Sequence, residues 1–245
     1  MRVSQFEVYR LCQRSLEALG APYGVDRDGA AAVVWLEARG LPGLALLAGD
    51  LPALARPGAF AGLALAPGAH DGEARLDAGG RSALAFLGGA VDLLRLLAAR
   101  APDRCGRLRL EGCRSPLFLL PGAVAACGPD DGVEIAWGGL AARIGRRRLS
   151  IAVLPGLDPA EALGESGPVA VGLALAPGSG RGARPSAAPI LTQDDLDESF
   201  VRALDQGIEA DDALWQQLSA IAARVQVPAS EVSRLKGAGG GDANA

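Results

Sequence analysis

Between Arg107 and Gly178 the chain is cut into short apolar or alternating runs: RLRLEG, PLFLLPGAVAA, GVEIAWGG, AARIG, RLSIAVLPG and PVAVGLALAPG, separated by Gly, Pro and Asp. Runs this short, with every second residue apolar, point to strands rather than helices of ordinary length. AARIGRRRLSIAV reads as a hairpin turning around Gly145. Outside this stretch the period changes to that of a helix. Ser4 and Glu7 form a capping box, and Val8, Leu11, Cys12, Leu16 and Leu19 follow on one face until Gly20 and Pro22. A second helix begins near Asp26 and stops at Gly40, and a third spans GLALLAGDLPAL. Within residues 81–100 a helix is predicted from Gly89 onward. Thr192 with Asp195 caps a helix ending at Gly207. Asp211 or Asp212 opens another, and Pro228 starts a last one that Gly237 ends.

The pattern predicts an α+β fold, with N-terminal and C-terminal helices around a central, mostly antiparallel β region. The alternative is a single mixed α/β layer. The expected divisions are an N-terminal helical segment (1–57), a β-rich region (58–178), a Gly/Pro/Ser-rich connector (179–189), C-terminal helices (190–238) and a flexible tail (239–245), all in one compact domain. Neither helical end has a large apolar face alone, so the two are expected to pack together.

Charge and patterning narrow the function. The net charge is -4, and the basic run Arg146-Arg147-Arg148 reads as a solvated hairpin edge, so nucleic acid is a poor partner. The start, MRVSQFEVYR, has no apolar core of a secretory signal. The most apolar window, SALAFLGGAVDLLRLLAARA, is broken by Asp92 and Arg95, short of the roughly 18 apolar residues a membrane helix needs. A cytoplasmic protein without a membrane partner is expected, and its four cysteines then default to reduced thiols.

Candidate chemistry is sparse. His70 is the sole histidine, in the polar turn PGAHDGEAR, either an oriented base beside Asp71 or a surface residue. Cys113 stands beside Arg114, a cation able to lower a thiol's pKa; the ordinary reading is a buried structural cysteine. No C-x-x-C pair occurs, and no metal or cofactor is expected. Gly88 and Gly89 at a helix start, with Arg81, are candidate hosts for a phosphate or carboxylate; the alternative is tight packing. The acids of QDDLDES are explained by a helix start, which favours carboxylates, more readily than by Mg²⁺. GLALAPG occurs at 62–68 and at 172–178; a chance echo in an Ala/Gly/Leu-rich chain is favoured over a duplicated unit.

Two segments carry a resemblance. WLEARGLPG (Trp35, Leu36, Arg39, Gly40, Leu41, Pro42 and Gly43) and the tail VPASEVSRLKGAGG (Val227 to Arg234, then Gly237 to Gly239) resemble an uncharacterised bacterial family, a domain of unknown function. That resemblance implies no established activity. The first 55 residues are also similar to the start of the malate/lactate dehydrogenase family that lacks a Rossmann fold. That family has a Ser-His-Gly after its acidic-to-Arg-Gly helix, with a catalytic histidine. This chain has Leu41-Pro42-Gly43 there, so the likeness implies shared helical packing and not NAD(P) chemistry.

The expected function is an accessory or binding protein for a small polar metabolite or a partner enzyme subunit, with homo-oligomer formation open. Arg39 and the tail residues Ser230, Glu231, Ser233 and Arg234 are its candidate ligand contacts, the tail acting as lid or docking segment. The alternatives are a hydrolase- or lyase-like enzyme on a small metabolite, using Cys113 or the carboxylates, and a degenerate NAD(P)-dependent reductase relative.

Overall fold

The structure is a computed structural model that describes residues 1–68, 70–145, 148–177 and 189–225. The chain opens with β1 (Arg2–Val3), α1 (Gln5–Ala18), α2 (Val25–Glu37) and α3 (Gly43–Leu54). Then come β2 (Ala64–Pro67), β3 (Glu73–Asp77), α4 (Leu87–Arg100), β4 (Gly106–Cys113) and α5 (Leu119–Ala126). β5 (Asp131–Trp137), β6 (Leu140–Gly145), β7 (Arg148–Val153), α6 (Pro159–Leu163) and β8 (Val169–Pro177) follow. β9 (Pro189–Leu191), α7 (Gln193–Gln206), β10 (Ile208–Glu209) and α8 (Asp212–Ala222) complete the described elements.

The strands form one sheet in the order β2-β3-β4-β8-β5-β6-β7-β9, plus the small ribbon β1-β10. Among the described pairs of the large sheet, β3–β4 alone is parallel, because α4 carries the chain back over the sheet between them. The expected α+β architecture is therefore the observed one. Alternation decides which face is covered. Val133, Ile135 and Trp137 of β5, Leu140, Ala142 and Ile144 of β6, and Val171, Leu173 and Leu175 of β8 are all buried. α4 lies against β4 and β8, and α5 packs on α4.

The two ends of the chain close on each other. α1 packs on both α2 and α8, and the buried Ser15 hydroxyl donates to Leu11 O on its own helix and stands 3.1 Å from Leu218 O on α8. β1 pairs with β10 through Arg2↔Glu209 and Val3↔Ile208.

PLFLLPGAVAA corrects a strand expectation. It forms a 3-10 turn at Pro116–Phe118 followed by α5. Leu117, Phe118, Leu119 and Leu120 are all buried, and a short, wholly apolar run has no period to separate a buried helix from a buried strand. The α4 helix starts two residues before the expected Gly89. β1, β3, β9, β10 and α6 were not anticipated. The two GLALAPG copies take different places: the first supplies the exposed edge strand β2, the second the central β8. The Pro228 helix lies outside the described residues.

One buried ion pair ties the helices to the sheet. Asp50 of α3 has no solvent exposure, and Arg114, just past β4, donates from Nε to its Oδ1 at 3.1 Å. Burial pushes the Asp50 carboxyl above its ordinary range, while Ser82, Ser115 and Arg114 pull it down. Ser115 is held in the left-handed region at φ 47°, which swings the chain from β4 into the 3-10 turn. Asp50→Ala is expected to cost about 2–4 kcal/mol in urea denaturation, because Arg114 loses its partner, and a Leu pair at positions 50 and 114 to recover most of it.

Candidate functional site

The segment Trp35–Gly43 has a physical account at each position. Leu36 and Leu41 are core residues. Gly40 ends α2 at φ +72°, with Gly40 N–H bonded to Glu37 O and Leu41 N–H to Leu36 O. This is the Schellman arrangement, which favours glycine. At Gly43 a Cβ would lie 2.6 Å from the Val33 carbonyl oxygen, so only glycine lets α3 approach α2 this closely. Pro42 is the N-cap of α3 and offers no side-chain acceptor. Glu37 supplies it from the preceding helix: Leu44 N–H donates to Glu37 Oε1 at 2.6 Å.

That geometry opens a cavity of about 510 Å³ between the α2–α3 junction, α6, α7 and the β1-β10 ribbon. Its polar lining is Arg2, Glu37, Ser199, Arg202, Gln206 and Glu209, with Gly40, Leu41 and Pro42 also in its wall. Glu37 is the perturbed group. Burial pushes its carboxyl up to about 7, against the lowering effect of the Leu44 N–H. It makes no ion pair among the described residues. Arg202 is held by Glu198 at 3.1 Å on the surface of α7.

Arg39 stands beside this cavity rather than in its wall. Its guanidinium is sandwiched between Trp35, 4.2 Å from the ring centroid, and Phe200, at 4.6 Å. It also donates to Trp35 O at 3.3 Å. Burial lowers its pKa, opposed by Asp197. Arg39 thus fastens α7 onto α2, which sets one wall of the cavity.

The remaining candidates are dispersed. Gly88 and Gly89 lie in the first turn of α4, bordering a second cavity of about 460 Å³ lined largely by apolar residues, among them Phe60, Leu63, Leu76 and Phe86. Arg81 points its guanidinium at backbone carbonyls, 2.6 Å from Ala61 O, and so braces the wall of that cavity. Cys113 is buried, and burial together with the Asp50 charge pushes its thiol up, the reverse of activation by Arg114. His70 is exposed in the β2–β3 turn and borders neither cavity. In QDDLDES, Asp195 closes the capping box with Thr192, Asp197 accepts from Gln193, and Glu198 pairs with Arg202. Ser230, Glu231, Ser233 and Arg234 lie outside the described residues.

Residues 3–78 match the model of a family described as a protein of unknown function (DUF3726). The match contains the whole Trp35–Gly43 segment and bears out that resemblance. A comparison with curated proteins gives no match. Among solved structures the chain is similar to a dehydrogenase from Sinorhizobium meliloti: TM-score 0.63, 15% identity, 91% of this chain and 99% of that one. It is also similar to malate dehydrogenase from Pyrococcus horikoshii OT3, with TM-score 0.60 and 11% identity over 93% and 96% of the two chains. Sulfolactate dehydrogenase from Methanocaldococcus jannaschii gives 0.61 and 12% over 90% and 96%. At these identities the shared property is the fold. The likeness seen in the first 55 residues therefore extends over about nine tenths of the chain. Among the described residues, no helix is long and apolar enough to cross a membrane.

Glu37 was missed by sequence reasoning, which saw it only as a helix residue. The signal was present: an acid one turn before a Gly-x-Pro-Gly junction that lacks its own cap. Since the folded Glu37 holds its proton to about 7, its contribution to stability is complete below its unfolded pKa near 4.5 and is lost as pH rises through 7. Glu37→Gln, which keeps the acceptor for Leu44, is expected to remove that slope and raise stability at pH 8 by about 1–3 kcal/mol in denaturant titrations. Arg39→Ala is expected to cost about 1–2 kcal/mol by the same measurement, with Arg39→Lys recovering only part.

Proposed function

We propose that this protein binds a small polar metabolite in the Glu37 cavity, as a non-hydride-transferring protein on a dehydrogenase-like fold. The observation that carries the reading is Pro42 in the cavity wall. The resembled dehydrogenase family has its catalytic histidine in the Ser-His-Gly at this junction, and here the sole histidine, His70, lies elsewhere. What remains is a set of groups suited to holding a ligand: two arginines, two glutamates, a serine and a glutamine around a space of metabolite size. With one titratable group pushed near neutrality among the described lining residues, binding is favoured over acyl or hydride transfer.

The partner-subunit reading has one observation of its own. Phe6 and Leu204, 70% and 62% exposed, face a groove that shares Arg2, Ala203, Gln206 and Gly207 with the cavity.

Native mass spectrometry of protein purified gently from its own host tests both. A retained small molecule is expected, and Ala160→Trp, an exposed position at the cavity mouth, is expected to remove it while shifting the thermal midpoint by no more than about 2 °C. A retained mass indifferent to Ala160→Trp, or oxidation of reduced nicotinamide with 2-oxo acids, would overturn the reading. A co-purifying chain lost in Phe6→Glu would favour the partner instead.

A further inference from the structure

We infer that the metabolite carries an ammonium group, seated against the cavity side of the Glu37 carboxylate. The inference rests on the cavity being a ligand site. Glu37 is a partly buried acid with one described hydrogen bond. Oε1 takes the Leu44 N–H, and no other described donor bonds the carboxylate. A carboxylate drawn part-way out of water without a cation is unfavourable, and proteins resolve that with a counter-charge or by keeping the proton.

The groups around Glu37 do not supply the counter-charge. Arg2 and Arg202 border the same cavity, yet neither forms an ion pair with it, and Arg202 is engaged by Glu198. Glu209, opposite Arg2 across the ribbon, adds a second negative charge to the wall. Behind Glu37, on α1, lies the buried Cys12 thiol, which the Glu37 charge pushes up further. Arg39, two residues on, is spent between Trp35 and Phe200. The missing cation is therefore expected from outside the chain, in a space of about 510 Å³. A hydrogen bond from a protonated Glu37 to a ligand carboxylate is the rival chemistry, and the direction of proton movement separates the two.

Calorimetry on the full chain at pH 7, in two buffers of different ionisation enthalpy, uses γ-aminobutyrate, butylamine and butyrate as matched probes. Both amines are expected to bind at least about tenfold more tightly than butyrate, a difference of one order in Kd. Each is expected to release about half a proton, because Glu37 is half protonated at that pH and ionises on meeting the cation. Glu37→Gln is expected to abolish the release and remove the tenfold preference while leaving butyrate unchanged. A preference for butyrate with proton uptake would overturn the ammonium and leave the cavity a ligand site. Amine binding unaltered in Glu37→Gln would overturn it too. Silence from all three probes also counts against it, and the proposed function is then judged by the retained mass and Ala160→Trp.

Discussion

The close approach of α3 to α2 at Gly43 is the contact on which the rest of the site depends. The Val33 carbonyl oxygen occupies the space a side chain would need. With the two helices this near, the chain reverses in the few residues from Ala38 to Pro42, and the N-terminus of α3 arrives beside Glu37. Glu37 then does two things at once. It caps a helix that proline left uncapped, and it presents a carboxyl to the cavity that the reversal creates. A partly buried carboxylate is unfavourable alone, so the helix N-terminus and its N–H offset part of that cost.

The remaining walls are set by longer-range ties. The Arg39 sandwich draws α7 onto α2, and the β1-β10 ribbon brings Arg2 and Glu209 to the same opening. The Asp50–Arg114 pair performs the matching task at the other end of α3, linking the helical layer to the end of β4. The cavity thus lies among segments from both ends of the chain, with α6 from the middle. The hollow at this junction belongs to the helix packing, set by the close approach at Gly43 and by the Arg39 sandwich.

Much of the fold was legible because it is local. Thr192 and Asp195 announce α7 by a capping box, and the alternation of Val133, Ile135 and Trp137 announces both a strand and its buried face. α5 was not legible, since Leu117 to Leu120 are apolar on all sides and carry no period. β3 hides in EARLD, a short charged run that its neighbours β2 and β4 make a strand. The site was less legible than the fold. Arg39 was noticed for its motif and turned out to hold the wall; Glu37, one turn from the junction, looked like any helix acid.

The sequence by itself determined the capped helices α1 and α7, the alternation that buries one sheet face and the stop of α2 at Gly40, because these depend on neighbours within a few residues. Only the tertiary structure decided the strand order, the pairing of β1 with β10 and the meeting of Glu37 with Arg2 and Arg202. Residues some two hundred positions apart meet there through packing rather than through any local pattern, and burial, not residue type, is what moves Glu37 into the range where a ligand can set its charge.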